Sequence, residues 1–253
     1  MINWREKFRA FAIHFLATAA LGALAAALIF LVWFPRPFAT MIGGTELFLL
    51  VVGCDLALGP LISLVIYNGR KSRRELITDY TLVAIIQLAA MIYGVYIVAG
   101  TRPVYVAFSK DRLEIVTARD INESELAAAR DPMYRELPLD GPHYVAIVVS
   151  AADQQDALLQ SVSGNEEHAR PKFYAPYETG LAEIRAHAKT VDELTREFPD
   201  TAGQLAAATQ SIDVPAERLR WLPVRHRKGF WTALIDTDNG RPLRYVAVDP
   251  YGD

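Results

Sequence analysis

The chain has 253 residues, 52% of them apolar, with a formal net charge of −3, and that apolar content points to a part that is not soluble. Its one cysteine, Cys54, excludes an internal disulfide, and no Cys or His pair sits at the spacing of a structural zinc site. Charge divides the sequence: eight Lys or Arg face five Asp or Glu up to Gly100, leaving +3, whereas eighteen face twenty-four beyond it, leaving −6.

The apolar runs all lie in the first part. The first, Ala10 to Phe34, is broken only by His14 and Thr18; the second, Leu47 to Tyr67, contains Asp55; the third, Tyr80 to Ala99, contains Gln87. Each has about 20 residues or more, the length a helix needs to cross roughly 30 Å of hydrocarbon. The expectation is three transmembrane helices over about 10–34, 47–67 and 80–99. The first run follows Arg5, Lys7 and Arg9 and so invites a signal-peptide reading. At about 25 apolar residues it exceeds a signal core, and it exits through WFPRPF instead of a small-residue cleavage site.

The N-terminal flank NWREKFR carries three basic residues and the loop NGRKSRRE four, against only Arg36 between the first two runs. By the positive-inside rule the N-terminus and the 68–77 loop are cytoplasmic, and three crossings place residues 101–253 outside the cytoplasm.

That second part reads as a mixed α/β domain. PVYVAFS and RLEIVTA are strands around a tight turn at Lys110-Asp111; NESELAAAR is a short helix capped by Asn122 or Ser124; DPMYRELPLDGP is a linking loop. HYVAIVVS is a buried strand, followed by a helix that ends at Gly164. YAPYETG, 174–180, is an irregular joint, and Leu181 to about Thr209 holds two or three helices interrupted at Phe198-Pro199-Asp200. An antiparallel meander closes the chain, with a hairpin at Asn239-Gly240.

Asp55 is the first candidate functional residue. An ionised carboxylate at the centre of a membrane helix costs at least about 2.5–3.5 kcal/mol, so it should face other helices or water and have a partner, or be neutral. Three readings follow: an interhelical hydrogen bond, binding of a partner's membrane segment, or proton or ion movement. Depth places Asp55 roughly 12 Å below the outer surface, level with Met91 to Tyr93 on the third helix, so Tyr93 and Gln87 are candidate donors. His14 and Asp79 fall near the cytoplasmic edge, where they pair or snorkel. Pro60 leaves the Leu56 carbonyl without its helical donor and kinks the second helix. Gly53, Ala57, Gly59 and Gly94 allow close helix approach.

The second part shows no catalytic pattern. His143, His168, His187 and His226 form no HExxH pair, and DTDNG fails the spacing of a calcium loop. RHRKG reads as an exposed hairpin loop, with contact to anionic headgroups or an acidic partner as its alternative. A net charge of −6 argues against nucleic acid.

Several stretches together resemble one family. FAIHFLATAALGALAAALIFLVWFPRPF, CDLALGPLISLVIY, DYTLVAIIQLAAMIYGVYIVAGTRPVYVAF and the closing LPVRHRKGFWTALIDTDNGRPLRYVAVDPY are similar to the type IV pilin accessory proteins of the TfpX/TfpZ type. The likeness covers both ends, while about 120–215 matches only in general character. Cys54 departs from the family pattern, where an aliphatic residue such as valine is expected. The resemblance implies a bacterial inner-membrane protein with a periplasmic domain, without catalytic activity or cofactor, that accompanies pilin and promotes or modulates its assembly. In that reading Asp55, Gly59, Pro60, Gln87 and Tyr93 bind the transmembrane helix of the major pilin, and the α/β domain contacts its head. Two other classes compete: a membrane-anchored sensor whose outer domain binds a small ligand, and an enzyme or transporter using Asp55 as a proton relay. The short cytoplasmic segments disfavour the first, and only three helices with no inverted repeat disfavour the second.

Overall fold

In the computed structural model, which describes residues 4–67, 71–210 and 212–252, the chain forms two compact units, Met1–Thr101 and Arg102–Asp253. Residues 68–70 of the basic loop and the Asn3 position of the N-terminal flank lie outside the described residues.

The first unit is built from three long apolar helices, each long and apolar enough to cross a membrane. α1 runs Trp4–Ala27 and continues as a wider π-helical stretch over Leu28–Trp33, closed by the Phe34 amide donating to the Ile29 carbonyl at 2.7 Å. A single turn, α2 (Phe38–Met41), leads to α3 (Gly44–Ile66), and α4 spans Arg73–Thr101. α1 and α4 therefore begin about six or seven residues before their apolar runs, because helical geometry carries through the charged flanks. α3 packs against both α1 and α4. Ile29, Phe34, Ala39 and Val98 form one buried cluster at one end, whereas Leu24, Leu31, Val65 and Ile85 point outward.

Glycines set the closest approaches. A Cβ at Gly94 would stand 2.3 Å from a Val51 methyl, and one at Gly22 2.9 Å from Val52. Val51 is β-branched and stiff, so Gly94→Leu is expected to push α3 and α4 apart and destabilise the bundle by about 1–3 kcal/mol, read as its SDS-denaturation midpoint. Gly53→Leu is the control, since nothing lies within 4 Å of that Cβ position. Equal effects of the two would contradict this packing.

The second unit holds an eight-stranded mixed sheet. β1 (Pro103–Ser109) and β2 (Arg112–Thr117) form the expected hairpin, with Lys110 at a φ of 60°. β3 (His143–Ile147), β4 (Tyr174–Pro176), β5 (Lys189–Thr190), β6 (Leu219–His226), β7 (Gly229–Asp236) and β8 (Pro242–Val246) follow. The order is β4-β3-β1-β2-β6-β7-β8. β1/β3 and β2/β6 are parallel, and all other pairs are antiparallel. Two-residue β5 joins β6 beside the segment that β2 pairs with.

Short helices fill the connections: α5 (Glu123–Ala127), α6 (Gln154–Val162), α7 (Leu181–His187), α8 (Val191–Glu197) and α9 (Ala202–Thr209). Asn122 is the backbone cap of α5 but makes no capping bond through its side chain. α8 carries a full capping box between Thr190 and Glu193. Two sequence expectations are corrected here. The 174–180 joint includes the edge strand β4, whose three residues pair with β3, and the helical region contains β5. Both strands are too short for an alternating pattern to show.

Candidate functional site

α3 supplies the floor of a groove in the first unit, with α1 and α4 as its walls. The cavity is about 470 Å³ and its lining is almost wholly apolar apart from Asp55, His14, Thr18, Tyr80 and Gln87. Three of these polar groups belong to a network that ties all three helices. His14 Nε2 lies 2.6 Å from Gln87 Oε1, and His14 Nδ1 is in close contact with the Ser63 hydroxyl. Nε2 donates to the amide oxygen, and the Ser63 hydroxyl, which can donate or accept, meets Nδ1. Gln87 Nε2 donates in turn to the Asp55 main-chain carbonyl at 3.4 Å. Tyr80 reaches the Ser63 carbonyl at 3.5 Å.

Gly59 and Pro60 make room for this network. A Cβ at Gly59 would stand 2.0 Å from Gln87 Nε2, so only glycine lets the amide reach across to α3. Pro60 is buried within α3, which continues unbroken through it, and its missing N–H leaves Leu56 without a helical donor one residue after the carbonyl that Gln87 reaches.

Several sequence expectations change. His14 does not pair with Asp79 at a helix end: α1 starts at Trp4, which carries His14 ten residues into the helix and onto Ser63 and Gln87. Asp79 instead accepts from Lys71 Nζ at 2.6 Å. Gln87 bonds the main chain of Asp55 and not its carboxylate. Tyr93 is 67% exposed and stands about 200° around α4 from Met91, which lines the groove, so it points away from Asp55. Among the described residues the Asp55 carboxylate therefore has no hydrogen-bond partner and borders the groove. Of the small residues, Gly59 and Gly94 mediate close packing, while Gly53 and Ala57 are exposed. Ser63 was missed because a lone serine in an apolar run carries no signal until its neighbours are placed.

A polar cleft of about 270 Å³ in the second unit brings together Lys110, Arg112, Glu114, Glu166, Glu167 and Arg225. Arg225 lies in β6, not in a loop, and donates through Nε to Glu114 of β2 at 2.6 Å and through its other arm to Glu166. His226 is 8% exposed, and only Arg227 and Lys228 form the turn expected for RHRKG. Burial pushes the Glu114 carboxyl up to about 7, although Arg225 works against it. Burial works to lower Arg225, but hydrogen bonds to Glu166 and Glu114, the two carboxylates it stands between, raise it. These directions are compatible, because Glu114 is the more deeply buried partner and loses more hydration than its ion pair returns. Burial also lowers His168, with Glu166 opposing. Each charge here meets an opposite one, so the cleft ties the 166–170 segment to the sheet.

Residues 2–43 match the family model described as "Fimbrial assembly protein FimB". The chain is 32% identical over 228 residues to "Fimbrial assembly protein, serogroup I" of Dichelobacter nodosus, covering 88% of each, and equally similar to the serogroup E1 protein of that organism. To the protein of serogroups C1 and C2 it is 42% identical over 117 residues, 46% of this chain and 89% of that one. No solved structure matches the chain.

Proposed function

This chain belongs to the fimbrial assembly protein family, and from that premise we propose that it is an inner-membrane accessory factor that binds type IV pilin and promotes or modulates its assembly into pili. In this reading α1, α3 and α4 cross the bilayer, basic flanks keep the N-terminus and the α3–α4 loop in the cytoplasm, and the sheet unit is periplasmic. The groove between α1 and α4 receives the apolar helix by which pilin waits in the membrane, and the periplasmic unit contacts the pilin head.

One observation supports this most: an apolar groove, floored by a helix whose Asp55 carboxylate has no partner among the described residues, while the neighbouring His14, Gln87 and Tyr80 bond within the bundle. A carboxylate at membrane depth is costly unless it meets a donor there. The test places a photo-crosslinker at Leu88 in the groove and another at Trp231 on the sheet unit, in cells that make pilin. Capture of the major pilin at both positions is expected. Asp55→Leu should reduce capture at Leu88 about five- to tenfold while leaving the melting temperature of the protein unchanged. Absence of pilin at both positions from folded protein removes direct binding.

A further inference from the structure

Asp55 is the central residue of α3, eleven positions from Gly44 and from Ile66. Contacts along the bundle hold it there in depth, since Val51 meets Gly94, Val52 meets Gly22, and Gly59 meets Gln87. Both ring nitrogens of His14 and both ends of the Gln87 amide are engaged within the chain. Of the ionisable groups of the groove, His14, Asp55 and Tyr80, the Asp55 carboxylate alone makes no hydrogen bond among the described residues. A carboxylate can only accept when ionised, and hydrocarbon supplies no donor.

We propose that the groove selects a transmembrane helix of another protein that carries an N–H or O–H donor at mid-membrane, facing Asp55 and flanked by apolar side chains. This rests on the reading that the groove receives a membrane helix, and it adds what that helix must present. The chemistry is complementary: an acceptor without a donor on an otherwise apolar wall rewards one polar side chain at one level and penalises an all-apolar helix that would bury the carboxylate unpaired. Tyr93 of the same chain sits near this level but on the opposite side of α4, so it cannot supply the donor within one molecule.

The probe is a leucine-based membrane helix of 23 residues, the length of α3, with Asn at its centre, compared with the all-leucine version. Both are labelled and titrated against the full-length protein in phospholipid bilayers by energy transfer. The Asn peptide is expected to bind about three- to tenfold tighter. Asp55→Leu should abolish that preference, and Asp55→Asn, which keeps an acceptor, should retain part of it. Equal binding of the two peptides, or a preference that survives Asp55→Leu, overturns the inference. So does Asp55-dependent energy transfer between two labelled copies of the chain that excludes the peptides, which would make a second copy the occupant. The pilin reading is separable: pilin captured at Leu88 without donor preference sinks only the donor requirement, whereas donor preference without pilin capture sinks only the pilin assignment.

Discussion

Trp221→Ala is expected to destabilise the sheet unit by about 3–5 kcal/mol, the largest effect of any single change proposed for this protein. Trp221 lies in β6, 2% exposed, packed with Leu194, Leu205 and Leu234 in the core that joins α8 and α9 to the sheet. Its indole donates to the Thr190 carbonyl at 3.0 Å, and the Lys189 ammonium stands 5.4 Å over the ring. Truncation removes the apolar bulk, leaves a cavity too central to collapse, and strips the donor from a carbonyl in the two-residue strand β5. For a unit of this size the loss corresponds to a drop of about 10–15 °C in melting temperature. Calorimetry of the detergent-solubilised chain reads it directly. A loss under about 1 kcal/mol would mean that β5 and α8 are not anchored through this ring.

The second large effect depends on pH. Burial raises the folded-state pKa of Glu114 from 4.5 to about 7, so folding favours the protonated form. The contribution of this group to stability is complete below about pH 4.5 and is lost as pH rises through about 7. Moving a carboxyl over that range corresponds to about 3 kcal/mol. Glu114→Gln does not titrate, so the stability of the variant relative to the native chain should rise between about pH 4.5 and pH 7 and level off above that. The measurement is denaturant unfolding of both proteins across that window. A flat difference, or one that falls with pH, would show that the Arg225 ion pair outweighs burial.

Function and architecture were legible to different depths. The three apolar runs, the β1–β2 hairpin and the closing strands could be read because each is a local pattern, helical or alternating, long enough to repeat. The family resemblance was carried by stretches at both ends, and whole-length relatives place the chain among fimbrial assembly proteins. The mixed order of the sheet was not legible. Parallel pairing of β2 with β6 joins residues about 110 apart, which no local spacing encodes. β4 and β5, three and two residues long, exist only because a neighbouring strand offers them partners.

The site divides in the same way. Asp55, Gly59, Pro60 and Gln87 stand out in the sequence because each is costly or unusual in a long apolar helix, and cost is a property of the residue and its surroundings along the chain. What each of them faces was decided only by packing. The packing of α1 on α3 brought His14 to Ser63 and Gln87, the rotation of α4 carried Tyr93 outward, and Gln87 was drawn to the Asp55 main chain by the space at Gly59. The sequence alone thus determined that a carboxylate lies at mid-helix. Tertiary structure decided that it stays unpaired at the edge of a groove, because hydrogen-bond partners are set by which helix faces meet, and that depends on all three helices at once.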